Sequence, residues 1–327
     1  MIHQRRARLA VAAALAFVPA LAQAQAELKL AHWVPPVHTI TAAVVDPLTE
    51  AAAGGDVTIR TYPGGELGAG PLEQYIRVLQ GVADIAWGVP GYTSSQFPLT
   101  MISELPGAIP EGRTGAEALN DAWEAGLLGD EFPYTLPIAL WTSEPNIFIM
   151  KGHDIRTPAD VEGLKIRVAG SVGAAVIESL GGIPVQMSAS EMYNALDTGL
   201  IDGIVTGSSA VADFRLDEVA DSYTYGAPLG RVSFFLAMNE AVYDGLPDEG
   251  RAALDTVTFR PLSRSAEEGW YAKADEVLAS LQADEGATVI TLTEEEAAAF
   301  GALTEPVTQE VVAEIGGEEV LSVMQGE

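Results

Sequence analysis

Residues 160 to 203 read DVEGLKIRVAGSVGAAVIESLGGIPVQMSASEMYNALDTGLIDG, and this stretch decides the fold class. Short apolar runs alternate here with helical patterns, which predict strands at 164–168, 183–186 and 202–206, and helices at 172–180 and from a capping box at 188–191 to about 196. Strands that alternate with helices of this length indicate parallel sheets with helices on both faces.

The same alternation continues on both sides of this stretch. It predicts strands at 28–32, 57–62, 83–87, 146–150, 232–238 and 287–290, and helices at 39–52, 72–79, from 247 to about 283, and from Thr293 onward. The length suggests two lobes. Because no low-complexity linker separates them, we expect the lobes to be joined by several crossovers.

The N-terminus has the three parts of a secretory signal peptide. Basic residues up to Arg8 precede an apolar run at 9–21, and two small-x-small cleavage sites follow. The apolar run is too short to span a membrane. Residues 1–26 are therefore predicted to be a cleaved signal, and the mature protein to be periplasmic. The pair Arg5–Arg6 leaves a twin-arginine export route open.

Composition excludes several classes of function. The chain has no cysteine, so it forms no disulfide, thiolate metal site or lipid-anchored thiol. Its 46 acidic residues outnumber 17 basic ones, for a net charge of −29. Such a surface disfavours nucleic acid and anionic lipid as partners, and we expect no direct membrane insertion. An anionic ligand would need a local positive group, which draws attention to interior arginines.

Enzyme signatures are missing from the sequence. There is no G-x-S-x-G elbow and no H-E-x-x-H pair, and the glycine-rich run at 64–70 lacks the Lys-Ser/Thr of a P-loop. We therefore predict that the protein is not an enzyme and that it uses neither a cofactor nor a metal.

Motifs in the opening stretch resemble TRAP-transporter substrate-binding proteins of the DctP type. The matching pieces are D-x-x-G-L-K-I-R-V at 160–168, L-G-G-x-P-V at 180–185 and S-E-M-Y-x-A-L-x-x-G-x-x-D-G at 190–203. Further pieces of the same kind stand at 62–68, 80–85, 91–92, 97–98 and 238–239. The similarity covers nearly the whole mature chain.

This resemblance implies an α/β, bilobal, periplasmic-binding-protein-like fold with two mixed-sheet lobes, hinge crossovers and a long spanning helix. The expected lobes are 27–142 with about 230–260, and about 143–229 with 261–327. It also implies capture of a small organic acid by cleft closure. Delivery would be to a permease with one small and one large membrane subunit.

Arg167 is the principal site candidate. It stands at the end of a predicted strand, where ligand crevices lie in open α/β sheets, and a guanidinium matches a carboxylate with two parallel hydrogen bonds. From composition alone, pairing with a neighbouring acid is the better explanation, because acids are plentiful. The resemblance carries the family's carboxylate-binding arginine onto this position.

Thr206 marks a departure from the family. Many relatives carry an asparagine that bonds the ligand at this place, whereas the run here is I-V-T-G-S-S at 204–209. The substitution suggests a less polar or differently shaped acid. Thr206 is either a ligand contact or a β-branched strand residue without one.

The remaining candidates stand at or near predicted strand ends. Aromatic residues there either wall the cleft or pack in the core, and those expected at the site are Trp87, Trp141, Tyr92 and Phe234. His38 either bonds the ligand or is a neutral histidine before a helix. Gln186 ends the strand before the capping box.

We therefore predict an extracytoplasmic solute-binding protein of a TRAP transporter that takes a monocarboxylate or a small dicarboxylate. A ligand-sensing receptor on the same fold, or a secreted hydrolase or lyase, stays open as an alternative.

Overall fold

A computed structural model describes residues 26–68 and 70–327. The predicted signal peptide lies outside the described residues except for its last position. Within the described part the strands are β1 (Ala26–Ala31), β2 (Val57–Tyr62), β3 (Ile85–Gly88), β4 (Thr135–Thr142), β5 (Asn146–Met150), β6 (Lys165–Val168), β7 (Ile183–Gln186), β8 (Gly203–Gly207), β9 (Ser222–Tyr225), β10 (Ser233–Asn239) and β11 (Thr288–Thr291).

The strands form two sheets, and both are mixed. The first sheet has the order β2-β1-β3-β10-β4, with β10 antiparallel to β3 and β4. The second has the order β11-β9-β5-β8-β6-β7, with β5 antiparallel to β8 and β9. The expectation of two mixed-sheet lobes is confirmed, and the parallel sheets that the alternating pattern indicates are interrupted because β5 and β10 each enter their sheet from the other one.

The helices surround both sheets. They are α1 (Asp46–Ala53), α2 (Gln74–Leu79), α3 (Gly115–Glu124), α4 (Ser171–Ser179), α5 (Met192–Asp197), α6 (Ala210–Asp213), α7 (Glu240–Asp244), α8 (Asp248–Asp255), α9 (Arg260–Ala283), α10 (Glu294–Ile315) and α11 (Glu318–Gln325). The single helix predicted from 247 to 283 is divided into α8 and α9, because the backbone breaks at Phe259 with φ of 60°.

Local sequence explains most of these elements. The apolar residues of β5 are buried on both faces, as in a sheet covered by helices, whereas β2 alternates buried Val57 and Ile59 with exposed Thr58 and Arg60. Helix α10 begins at the predicted capping box, in which Thr293 Oγ1 accepts from the Glu296 N–H.

Two connections join the sheets. Residues 143–145 lead from β4 to β5, and residues 226–232 return from β9 to β10. Helix α9 contacts both β4 and β11 and so spans the two halves, while α11 packs on α3. The bilobal α/β fold with hinge crossovers and a long spanning helix is confirmed. We call the half around the first sheet the first lobe and the half around the second sheet the second lobe; the exact lobe boundaries remain a proposal.

No helix in the described part of the chain has both the length and the apolar character needed to span a bilayer.

Candidate functional site

A cavity lies between the two lobes. The first lobe contributes Trp33, Trp87 and Phe234 to its wall, and the second contributes Arg167 and Thr206. The cavity has a volume of about 40 Å³, enough for roughly three water molecules. Residues that are distant in sequence thus meet in a small space that both lobes must close.

Arg167 is the cation of this cavity. Its side chain is 1% exposed, its Nε donates to the Met187 carbonyl oxygen at 3.0 Å, and its Nη2 donates to the Tyr92 hydroxyl at 3.5 Å. Among residues 26–68 and 70–327 it makes no salt bridge, and its Nη1 has no hydrogen-bond partner. Burial lowers the pKa of Arg167 from its ordinary value, but a guanidinium stays protonated in proteins.

The strand pairing explains this position. Strand β6 lies between β7 and β8 and is parallel to both, so its C-terminal end meets theirs at one edge of the second sheet. Ile166 and Val168 are buried in the core on either side of Arg167. The guanidinium is therefore held by a rigid central strand at the edge where α/β sheets bind ligands.

Aromatic rings form most of the remaining wall. Trp33 and Trp87 stack with ring centroids 5.3 Å apart and planes 7° from parallel. Phe214 stacks on the other side of Trp33 at 5.9 Å, and Phe234 packs on Trp270 at 5.2 Å. The indole N–H groups of Trp33 and Trp87 are buried and have no partner among the described residues. The aromatic part of the wall is thus apolar.

One side of the cavity is closed by a carboxylate that reaches across the lobes. Asp213, at the end of α6, accepts from the Thr39 N–H at 3.1 Å and the Thr39 hydroxyl at 2.8 Å. Burial raises the pKa of Asp213 to about 6. These contacts join the second lobe to the segment that follows β1 in the first.

His38 takes part in the same contact. Its Nδ1 accepts from the Ile40 N–H at 3.0 Å, so the neutral ring carries its proton on Nε2, which lies 3.4 Å from Asp213 Oδ2. Burial lowers the pKa of His38 to about 3, with a smaller contribution from His32. His38 is therefore neutral at neutral pH.

The other side is closed by Tyr92 and its neighbours. The Tyr92 hydroxyl accepts from the Ala189 N–H at 2.8 Å as well as from Arg167, and Ser94 Oγ accepts from the Ser171 N–H at 3.3 Å. Contacts on both sides of the cavity give the lobes a closed arrangement.

The structure brings most of the predicted site residues together. Six line the cavity: Arg167, Thr206, Trp87, Tyr92, His38 and Phe234. Trp141 does not; it is fully buried behind the wall against Phe234 and Trp270. Gln186 does not either, because it ends the edge strand β7 with an exposed side chain. The predictions for Trp141 and Gln186 find no support in this geometry.

Thr206 faces the cavity at the end of β8. Its side chain is buried, and its hydroxyl makes no hydrogen bond with any residue in the described ranges. The hydroxyl is therefore available to a bound molecule.

Sequence reasoning missed part of the lining, namely Asp213, Phe214, Met192 and Trp270. Asp213 and Phe214 belong to V-A-D-F, which matches no motif, and Asp213 is one of 46 acids. Trp270 belongs to α9, and no local signal shows which face of that helix meets the cleft. Finding these residues requires the tertiary structure.

No group of three or more His, Asp or Glu side chains in the described ranges is arranged to hold a metal ion. The prediction that the function needs none stays a prediction.

The chain is similar to known bacterial solute-binding proteins. The sequence profile of bacterial extracellular solute-binding protein family 7 matches residues 30–315. The C4-dicarboxylate-binding periplasmic protein DctP of Rhodobacter capsulatus is 28% identical over 321 residues, covering 94% of this chain and 92% of that protein.

Solved structures show the same architecture. A TRAP solute-binding protein from Rhodoferax ferrireducens, in complex with copurified benzoate, superposes with a TM-score of 0.81 at 27% identity, covering 92% of this chain and 96% of the other. A marine metagenome TRAP solute-binding protein specific for aromatic acids, with 3-hydroxybenzoate, gives a TM-score of 0.84 at 26% identity over 92% and 97% of the two chains.

Proposed function

The chain belongs to bacterial extracellular solute-binding protein family 7, and from this membership we propose that its lobes close on a small, ring-bearing organic acid held by Arg167. The protein is a solute-binding protein of the TRAP type for small carboxylates, and its family is not a class of enzymes. Proteins of the family are periplasmic and work with permease subunits. Export by the signal peptide and delivery to one small and one large membrane subunit are part of the proposal.

The observation that carries this proposal is the unpaired guanidinium. Arg167 is 1% exposed and makes no salt bridge among the described residues, although Glu191 interacts with it electrostatically. A buried charge without a direct ion pair costs several kcal/mol, about what a bound carboxylate would offset. A ligand carboxylate at Arg167 would also meet the free Nη1, which suits the two-pronged geometry of this pair.

Two features support a ring in the ligand. The cavity lining is mostly aromatic, with Trp33, Trp87 and Phe234 in it, and a flat apolar body packs well against such a surface. The two related structures named above hold benzoate and 3-hydroxybenzoate.

Capture would follow from a shift between open and closed lobes. The cross-lobe contacts of Tyr92 and Asp213 exist only when the lobes meet. A ligand that binds Arg167 and also touches the first lobe's aromatic wall has contacts in the closed state that it lacks in the open one, so it increases the closed population.

A thermal-shift comparison tests the proposal. Benzoate and 3-hydroxybenzoate should raise the melting temperature in a concentration-dependent way, because they bind only the folded protein. Benzamide and benzyl alcohol keep the ring but lack the charge, and they should produce no shift at the same concentrations. Equal shifts from the neutral analogues would contradict recognition of a carboxylate.

Delivery is tested by uptake. Cells that express the permease subunits encoded beside this gene should accumulate labelled ligand only when this protein is also present. Uptake that proceeds equally well without it would contradict the transport role.

A further inference from the structure

The lining of the cavity contains one basic and one acidic side chain. Arg167 is the cation and Asp213 is the acid, and no other Lys, Arg, Asp or Glu of the described residues belongs to this lining. His38 is neutral because its pKa is near 3, and burial raises the pKa of Tyr92, which stays protonated. The empty cavity at neutral pH therefore has no net charge.

Asp213 is fixed in this position. Its side chain is 5% exposed, its two oxygens accept from the Thr39 N–H and hydroxyl, and His38 Nε2 lies 3.4 Å from Oδ2. Lys273 lowers the pKa of Asp213, the last of four effects on it, but its ammonium is in an ion pair with Glu276. The carboxylate thus has hydrogen bonds but no salt bridge with a Lys or Arg of the described residues.

We infer that Asp213 is a specificity-determining residue that restricts the cavity to ligands with a single negative charge. This inference rests on the proposed function. One carboxylate of a ligand pairs with Arg167. A second carboxylate would find no second cation, would lose its hydration on closure, and would share a small closed space with Asp213.

The expected discrimination is large. Two like charges a few ångströms apart, at the effective dielectric constant of a protein site, disfavour binding by roughly a hundredfold. This restriction separates the chain from its dicarboxylate-binding relative, although both belong to one family.

Uncharged polar groups on a ligand do not meet the repulsion that a second carboxylate meets. The hydroxyl of Thr206 lies in the lining and has no hydrogen-bond partner among the described residues. A hydroxyl, carbonyl or nitro oxygen on the ligand can accept from it without adding a charge. The site therefore discriminates by charge and not by polarity as such.

Isosteric ligand pairs give the sharpest test, because a nitro group has the shape of a carboxylate but no charge. Calorimetry on the full chain at pH 7.5 compares 3-nitrobenzoate with isophthalate, and 3-nitropropionate with succinate. The wild-type protein should bind the nitro member of a pair at least tenfold more tightly than the dicarboxylate.

Two variants assign the effect to Asp213. Asp213→Asn keeps the shape and removes the charge, so the preference for the nitro compound should fall at least tenfold. Asp217→Asn is the matched control, since Asp217 is an exposed acid four residues away that lies outside the cavity. It should leave the preference unchanged.

The outcomes separate this inference from the function on which it rests. If the dicarboxylates bind wild-type protein as tightly as their nitro partners, or if Asp213→Asn leaves the preference unchanged, the role of Asp213 is overturned and carboxylate capture stands. If no member of either pair binds, the proposed function fails and the inference fails with it.

Discussion

At the scale of single residues, burial acts in opposite ways on the two charges of the cavity. Arg167 keeps its charge although it is buried, because a guanidinium does not lose its proton in proteins. Asp213 has a pKa of about 6 in the closed form, where burial disfavours its anion. In an open form its carboxylate would contact water, and its pKa would return towards the ordinary value.

Ligand capture should therefore take up protons at Asp213. Because the pKa of Asp213 is higher in the closed form, protonation of Asp213 stabilises that form. The closed form is therefore favoured below this pKa and disfavoured above it. The affinity for benzoate should rise about tenfold between pH 7.5 and pH 5. Calorimetry in buffers of different ionisation enthalpy measures the proton uptake directly.

The neighbours of Asp213 require a control for this measurement. Glu144 has a pKa raised by burial to about 7 and interacts electrostatically with Asp213, whereas His38 titrates near pH 3, below the range, and Lys273 stays charged. Because the two carboxyls interact, the comparison is made in a Glu144→Gln background, where the difference between Glu144→Gln and Glu144→Gln/Asp213→Asn isolates Asp213. Equal proton uptake by the two proteins would contradict the coupling.

The sequence could show Arg167 but not Asp213. Arg167 stands in a strand-end motif, and basic residues are few beside the 46 acidic ones, so its type and position stand out together. Asp213 ends the short helix α6 in no recognisable motif, and only tertiary packing against Thr39 shows its place. Trp141 shows the reverse case: a large aromatic side chain at a strand end proved to lie behind the wall, because strand pairing turns it into the core.

At the scale of elements, two glycines allow the lobes to approach each other closely. A Cβ on Gly170, just before α4, would lie 2.6 Å from the Cα and the carbonyl oxygen of Gly91 in the first lobe. The φ of Gly170 is −159°, a value that any residue can adopt. A glycine is therefore required here because a side chain would collide with Gly91, and not because of the backbone conformation.

Gly170→Ala should therefore hold the lobes apart without unfolding the protein. We expect at least a tenfold loss of affinity for benzoate, measured by calorimetry, with a melting temperature close to that of the wild type. Gly129→Ala is the control, since nothing lies within 4 Å of its added Cβ. Unchanged affinity in Gly170→Ala would show that closure does not require this approach.

Element prediction succeeded where the signal was local. The strands at 57–62, 146–150 and 183–186 were predicted with their exact bounds, because short apolar runs are flanked by turn residues. The break between α8 and α9 was missed, although Pro261 near the start of α9 offered a signal, since proline favours the first turn of a helix. Strand direction depends on crossovers between sheets, which periodicity does not contain.

At the scale of the whole molecule, the acidic surface matters for stability. A net charge of −29 causes self-repulsion in the compact state. Sodium chloride up to about 1 M screens this repulsion, so the melting temperature should rise by a few degrees. Sucrose at equal osmolality does not screen charge and serves as the control. A melting temperature that falls with salt would contradict the argument.

Lobe closure can be observed directly because the chain lacks cysteine. A single introduced cysteine at Glu50 and another at Leu200 place one label on each lobe at exposed positions. Benzoate should shift the label distance towards its shortest value, and Arg167→Ala should abolish that shift while the protein stays folded. A distance that does not respond to ligand would contradict capture by closure.

The central claim is that the Arg167 guanidinium binds a ligand carboxylate between the two lobes. Calorimetry of benzoate binding to Arg167→Ala tests it most directly, with Arg215→Ala, an exposed arginine outside the cavity, as the control. We predict at least a thirtyfold loss of affinity in Arg167→Ala, equivalent to about 2 kcal/mol or more, and no change in Arg215→Ala. A folded Arg167→Ala protein that binds benzoate with wild-type affinity would contradict the account.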